Sequence, residues 1–101
     1  MGKVRTKSKT TKPRFKMSVS TDENTGKLVA AYLSVRDGNA AETVEIEEDR
    51  AYADYDAHGQ LLGIELIAPC HVKVLDRITR KEPDDVREFL GSSPPRSMTL
   101  A

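Results

Sequence analysis

Asp54, Asp56 and His58 occupy alternate positions of one short segment, and their residue types are those of general acid–base catalysis. Two carboxylates and an imidazole on one side of a strand can divide acid and base roles where their surroundings push their pKa values apart. The segment 56–59, however, reads as an exposed turn, in which an aspartate accepts backbone hydrogen bonds. We therefore expect a structural role for these residues, and a small enzyme using them is only the third functional hypothesis.

Cys70 and His71 are adjacent, and both residue types bind zinc. Zinc sites usually need three or four such ligands, whereas this chain has one Cys and two His. A nucleophilic Cys–His pair would need an orienting group and an oxyanion donor, and neither is evident. The sequence also lacks a G-x-S-x-G motif, a phosphate-binding glycine loop and a dinucleotide fingerprint. We expect no metal site, no cofactor and no catalytic residue.

A cluster of acids is the strongest charge feature of the central part of the chain. Its members lie within eight consecutive positions: Glu42, Glu45, Glu47, Glu48 and Asp49. One interpretation is a solvated sheet face whose negative charge discourages pairing with other sheets. The alternative is a docking surface for a basic partner, for which charge complementarity would set the association rate and the choice of partner.

The N-terminal segment is basic, although the formal net charge of the whole chain is +0. It carries seven cations and no acid: Lys3, Arg5, Lys7, Lys9, Lys12, Arg14 and Lys16. The nine remaining cations stand against all 16 acids, so the chain is an acidic domain with a basic arm. Residues 1–13 have too few apolar side chains to offset the entropy of ordering, which predicts disorder.

Nucleic-acid binding through this arm is the second functional hypothesis. The residues that would contact phosphates are Lys3, Arg5, Lys7, Lys9, Lys12 and Arg14, and such contacts would be strongly salt dependent. No aromatic residue precedes Phe15, and no recognition helix or base-stacking sheet is evident. A solubilising extension is the competing interpretation.

Length and composition set the class of protein. The chain has 101 residues, enough for one domain with a modest core. It has no apolar run near the ~20 residues that span a bilayer, and no apolar stretch typical of a signal peptide follows the basic start. A single cysteine excludes an internal disulfide. These features predict a cytoplasmic protein with no membrane association.

Between the two ends of the chain, apolar residues recur mostly with a period of two, which indicates half-buried strands. The runs begin at Phe15, Val29, Val44, Tyr52 and Leu62. Short segments containing Gly or Asp separate them, as in hairpins. We predict an antiparallel β-meander of about five strands.

After Pro69 the pattern changes. Val72, Leu75 and Ile78 lie three apart and favour a helical turn, with a strand through Val72 and Val74 as the alternative. Residues 82–91 read as a helix that has Pro83 at its first position and Gly91 at its C-terminal cap. Strands followed by one or two short helices indicate an α+β fold. The predicted domain covers residues 14–91, and the tail 92–101 either docks or frays.

The expected core consists of apolar residues on the inward sides of these elements: Tyr32, Leu33, Val35, Val44, Ile46, Leu62, Ile64, Leu66, Leu75, Val86, Phe89 and Leu90. A second set is more apolar or more acidic than a solvated face requires, and we assign it to an interaction surface: Tyr32, Glu45, Glu47, Leu61 and Ile67. The leading functional hypothesis is therefore a non-catalytic protein-interaction module. Its partner would be a second copy, in a homodimer, or another small protein.

Three segments resemble a family of short bacterial proteins known only as domain of unknown function 2283. They are the runs 27–35, 41–46 and 54–66, and the most specific piece is Gly59 to Leu66. The resemblance covers roughly residues 16–68; the basic arm and the segment after Pro69 lie outside it. It implies a compact sheet with a helix in a bacterial, cytosolic protein, with no established activity. Some members resemble the small partner encoded beside a compact toxin, which makes an antitoxin-like role the specific form of the interaction hypothesis.

Overall fold

The structure is a computed structural model, and it describes residues 12–100. The predicted disorder of the arm falls almost entirely on residues 1–11, outside the described part. The same holds for four of the proposed phosphate-binding residues: Lys3, Arg5, Lys7 and Lys9.

Five strands form one antiparallel sheet: β1 (Lys16–Thr21), β2 (Leu28–Ser34), β3 (Glu42–Glu47), β4 (Ala51–Tyr55) and β5 (Leu61–Ile67). Each coincides with one of the period-two runs in the sequence. Helices follow the strands along the chain. The predicted α+β fold, with an antiparallel sheet and C-terminal helices, is confirmed.

The strand order is β1-β2-β5-β4-β3, so the successive pairing expected of a meander is wrong. Hairpins connect β1 to β2, β3 to β4 and β4 to β5, but the segment 35–41 does not close a hairpin. It crosses from β2 to the far edge of the sheet, and β5 returns to lie between β2 and β4, in the manner of a Greek key. Hairpins and crossovers use the same Gly and Asp residues, so the sequence of this loop does not distinguish them.

The segment after the cis peptide bond Ala68–Pro69 contains both of the structures that the sequence left open. A short strand, β6 (Cys70–His71), leads through a 3₁₀ turn (Val72–Val74) into helix α1 (Leu75–Thr79). Helix α2 (Asp84–Ser92) then begins after Pro83, which is its N-cap rather than its first residue. It continues through Gly91, so Gly91 is not the cap that the sequence predicted.

The segment 92–100 docks on the domain instead of fraying. A 3₁₀ turn (Arg96–Met98) leads to β7 (Thr99–Leu100), which pairs with β6 in parallel. The side chain of Met98 is buried, and the thiol of Cys70 donates to the Met98 carbonyl over 3.6 Å.

The core lies between one face of the five-stranded sheet and the C-terminal segment. Its largest fully buried side chains are Leu33, Leu61, Ile64, Leu66, Leu75, Leu90, Met98, Val35, Val86 and Cys70. Four expected core residues differ from this, and two of them, Ile46 and Phe89, are only partly buried against the core. Val44 is 40% exposed because β3 is an edge strand that the helices do not fully cover, and Tyr32 is half-buried on the opposite face.

Leu61 was expected on an outer, interacting face, and this assignment is wrong, because the residue is 1% exposed. The β4–β5 register shifts between Asp54 and Tyr55, so that Tyr55 pairs with Leu61. The resulting β-bulge breaks the alternation of side chains at the start of β5 and turns Leu61 into the core. Its neighbour Leu62 is also buried and contacts Gly38 in the crossover.

Among residues 12–100, one charged side chain lies in the interior, two residues after the end of β2. Arg36 is 7% exposed; it donates to the Leu61 carbonyl at 2.8 Å and to a Glu82 carboxylate oxygen at 3.0 Å. The pair joins the crossover to the turn that precedes α2. Buried charges are tolerated when they are paired in this way.

Within residues 12–100, the helices are all too short and too polar to cross a lipid bilayer.

Candidate binding surface on the open face of the sheet

One face of the sheet, here called the open face, carries no helix among residues 12–100. The register of all five strands places one row of side chains straight across it: Ser18, Tyr32, Glu65, Tyr52 and Glu45. None of these five side chains is buried, whereas the residues that alternate with them on β2, β4 and β5 form the core. The open face is therefore a polar surface, exposed to solvent, that spans all five strands of the sheet.

Asp54 organises the neighbouring row of the open face. One of its carboxylate oxygens accepts from the Tyr32 hydroxyl at 2.9 Å, and the other accepts from the Thr43 hydroxyl at 2.6 Å. Tyr32 reaches Asp54 by lying across Gly63 on the intervening strand. The carboxylate thus fixes side chains that come from β2 and β3.

The tyrosines of the open face are protonated donors over the ordinary pH range. Partial burial, the hydrogen bond to Asp54 and the nearby carboxylates raise the pKa of Tyr32. Desolvation, followed by the charge of Glu45, raises the pKa of Tyr52. Both rings therefore remain neutral and keep the electron-rich faces that attract cations.

The charge of the open face is mainly negative. Glu45, Asp54 and Glu65 lie on β3, β4 and β5. Lys16 stands at the β1 margin of this face, where its ammonium lies 3.8 Å from Asp37. In register, Tyr52 lies between Glu45 and Glu65. An aromatic ring flanked by two carboxylates suits a guanidinium or an ammonium group.

The structure separates the residues that the sequence grouped as one interaction surface. Tyr32, Glu45 and Ile67 belong to the open face by strand alternation. Glu47 instead accepts from His71, with 2.7 Å between its carboxylate and the imidazole Nδ1, and so ties β3 to β6. Leu61 lies in the core, as described above.

The three residues considered for acid–base chemistry have separate structural roles. Asp54 is held by Tyr32 and Thr43 on the open face. Asp56 lies in the β4–β5 turn, where it accepts from the backbone N–H groups of Gln60 and His58, and these bonds lower its pKa. Turn chemistry therefore accounts for Asp56, and Asp54 has hydrogen-bond partners on the open face, Tyr32 and Thr43, that Asp56 does not share.

Cys70 and His71 point in different directions. Burial raises the pKa of the Cys70 thiol, while the His71 side chain is half exposed and bound to Glu47. Residues 12–100 hold no group of three or more His, Cys, Asp and Glu side chains placed to share a metal ion.

Two of the proposed phosphate-binding residues lie in the described range. Lys12 is exposed, and the guanidinium of Arg14 lies 2.9 Å from the Asp37 carboxylate. Nucleic-acid binding therefore stays a prediction that depends mainly on the four cations outside that range.

A groove of about 500 Å³ lies beside β3, on the helix side of the sheet. Apolar side chains of Val44, Ile46 and Ile78 line it, together with acids and cations in equal number: Glu45, Glu82, Arg77 and Lys81. The two acids and two cations give the lining no net formal charge.

Comparison with known proteins gives no counterpart: no family model, no curated protein and no solved structure matches the chain. The resemblance to domain of unknown function 2283 stays a prediction.

The Tyr32–Asp54 contact is a functional-site feature that sequence reasoning missed. The two residues are 22 positions apart and their strands are not adjacent in sequence or in the sheet. The available signal was Gly63, because a glycine inside a strand often marks the close approach of another group.

Proposed function

We propose that this protein is a non-catalytic interaction module whose open face binds a basic segment of a partner protein. The observation that carries the proposal is the row in which Tyr52 lies between Glu45 and Glu65 on an uncovered face of the sheet. In such a complex, an arginine or lysine side chain stacks on Tyr52 and the two carboxylates neutralise it.

The preorganisation of the surface supports this role. Residues of a binding surface contribute more when their own conformations are already fixed, because less entropy is lost on association. Asp54 holds Tyr32 and Thr43, and Gly63 leaves room for the Tyr32 ring. Five paired strands provide the rigid support beneath them.

The charge pattern favours a cationic partner over a nucleic acid on this face. Glu45, Asp54 and Glu65 would repel phosphates, whereas they attract a basic protein and speed its association. An antitoxin-like protein that covers a basic toxin is one form of this function, and it rests on the resemblance described above.

The test uses a short synthetic arginine-rich peptide as the probe, titrated into ¹⁵N-labelled protein. We expect chemical-shift changes on β3, β4 and β5, and binding that weakens as salt rises. Replacing Glu65 by Gln should raise the dissociation constant about three- to fivefold, as should replacing Glu45 by Gln.

Glu88→Gln is the matched control, since Glu88 is an exposed acid on α2 in the other layer of the molecule. It changes the net charge by the same amount as Glu65→Gln but should leave the affinity nearly unchanged. Equal losses in the two variants would show that the peptide responds only to overall charge, and the proposal would then fail.

A further inference from the structure

The outer edge of β1 is the most apolar exposed region of the described chain. Five large apolar side chains are exposed between residues 12 and 100, and four of them lie on or beside this strand: Phe15, Met17, Val19 and Val29. Their exposed fractions run from 37% to 47%. Phe15 stacks on Phe89 of α2, with 4.8 Å between the ring centroids, so the apolar stripe continues onto the helix.

The backbone of β1 also has an unpaired side. β1 is the first strand of the sheet and pairs only with β2, so one row of its N–H and C=O groups faces outward. Such an edge is a template for another strand. An apolar stripe and a free hydrogen-bonding edge at one place indicate an interface.

We propose that a second copy of this chain occupies this edge, with the two β1 strands antiparallel about a two-fold axis midway between Ser18 of one copy and Ser18 of the other. The axis is perpendicular to the sheet, and the two five-stranded sheets become one of ten strands. This proposal uses the edge rather than the open face, so it does not depend on the proposed function.

The side-chain pattern of β1 fits this register. Residues directly opposite in an antiparallel pair share a face, so a two-fold axis of this kind must pass midway between one residue and the same residue of the second copy. With the axis at Ser18, Met17 lies opposite Val19 of the second copy, and Val19 lies opposite its Met17. Four apolar side chains, now 46% to 47% exposed, cover one another on the helix side.

The charges of the strand are complementary to themselves in the same register. β1 has cations at its start and acids in the turn that follows it. Lys16 lies opposite Ser20 of the second copy. Arg14 precedes the strand, where it is paired with Asp37, and it approaches the turn that contains Asp22 of the second copy. Antiparallel pairing thus brings unlike charges together and sets no like charges directly opposite each other.

The other edge of the sheet suits self-pairing poorly. β3 carries Glu42, Glu45 and Glu47, so two β3 strands would bring six acids together. Pairing of β1 with β3 of a second copy would join unlike charges, but it leaves a free edge at each end and builds an open chain of molecules. A closed dimer and an open chain differ in mass, which makes them distinguishable.

The first experiment measures molar mass by light scattering during size-exclusion chromatography, over a range of loading concentrations. We expect a dimer for the unmodified protein. Val19→Lys should raise the dimer dissociation constant about a hundredfold. The substitution occurs once in each copy, and each occurrence weakens the dimer affinity about tenfold. Val44→Lys is the matched control: Val44 is 40% exposed on the other edge strand, and its replacement should leave the dimer intact.

The second experiment does not rely on a charge near the core. In the proposed register, two Cys introduced by Ser18→Cys have Cα atoms about 5 Å apart, within reach of a disulfide. Two Cys introduced by Ser20→Cys are separated by about 13 Å and cannot form one. Cys70 is buried and is present in both variants. We expect rapid oxidation to a covalent dimer for Ser18→Cys alone.

Four results would overturn the proposal. They are a monomeric unmodified protein at the highest concentration, a dimer that survives Val19→Lys, equal cross-linking at positions 18 and 20, and a species that grows beyond the dimer and is dissolved by Val44→Lys. Far-UV circular dichroism of each variant establishes that the loss of the dimer is not a loss of fold. Should Val19→Lys not fold, Met17→Lys provides the same test at the opposing position.

Discussion

The phenol ring of Tyr32 lies directly over Gly63, the one residue of β5 that has no side chain. A Cβ atom at Gly63 would collide with the ring and with the hydroxyl group that donates a hydrogen bond to Asp54. The hydrogen bond from Tyr32 of β2 to Asp54 of β4 therefore requires a glycine at position 63 of β5, the strand between them.

Replacing Gly63 by Ala should destabilise the protein by about 1–3 kcal/mol, because the ring must leave its position over a buried strand. Urea unfolding followed by circular dichroism measures the change. Gly91→Ala is the control of opposite sign: Gly91 lies inside α2 with open space around it, and alanine there should stabilise the helix by about 0.5–1 kcal/mol. Equal effects at the two glycines would contradict the close approach of Tyr32.

Tyr32 should make the free energy of unfolding fall at high pH. Its raised pKa means that the folded protein keeps the phenol proton after the unfolded chain has lost it. The contribution is complete below pH ~10 and declines as the pH rises further. Denaturant unfolding from pH 8.5 to 11 should show a smaller decline for Tyr32→Phe; the residual decline reflects Tyr52 and Tyr55, whose pKa values are also raised. If the free energy of unfolding declined equally with pH in the unmodified protein and in Tyr32→Phe, the effect could not be assigned to Tyr32.

The buried pair Arg36–Glu82 should be sensitive to the loss of one partner. Glu82→Gln leaves the guanidinium, 7% exposed, without its counter-charge, and we expect a loss of about 3–5 kcal/mol. Asp84→Asn removes the acid of a surface pair with Arg87 at 3.7 Å and should cost less than about 0.5 kcal/mol. Combining Glu82→Gln with Arg36→Met should restore much of the stability, since no unpaired charge then remains. Thermal and urea unfolding of the unmodified protein, the two single variants and the double variant measure these changes in the free energy of unfolding. A loss below about 1 kcal/mol for Glu82→Gln alone would argue against an important ion pair.

Glu47 should titrate below its usual range for as long as His71 donates to it. The hydrogen bond from the imidazole lowers the pKa of the Glu47 carboxyl, so its contribution to stability is present above pH ~4.3 and is lost on further acidification. In His71→Ala, the midpoint measured by carboxyl ¹³C NMR should move upward. Asp56 serves as the internal control, because backbone N–H groups of its own turn lower its pKa and should continue to do so. An unchanged Glu47 midpoint would show that the pair does not persist in solution.

The alternation of apolar residues was sufficient to locate all five strands of the sheet, because a half-buried strand leaves that pattern wherever its pairing is regular. It failed at Leu61, where a bulge changes which side chain faces inward. The same pattern could not predict the strand order, because the crossover contains Asp37 and Gly38, which are residue types that also form hairpin turns.

The candidate surface was predictable in part. Glu45 and Tyr32 were both assigned to the interaction surface by their types, but Tyr32 was also expected in the core, whereas the register places both on the open face. The contact of Tyr32 with Asp54 depends on β5 lying between β2 and β4, which local sequence does not encode. Arg36 was missed for a related reason: its partners, Leu61 and Glu82, are distant in sequence.

The position of β5 also has a kinetic consequence. The hairpin of β1 with β2 and the hairpin of β3 with β4 share no strand pairing, and each meets the rest of the sheet only along β5. Both hairpins, and the hairpin of β4 with β5, close short loops and form early, whereas β5 must find β2 across a longer span of chain. We therefore expect the pairing of β5 with β2 to be the slow step of folding.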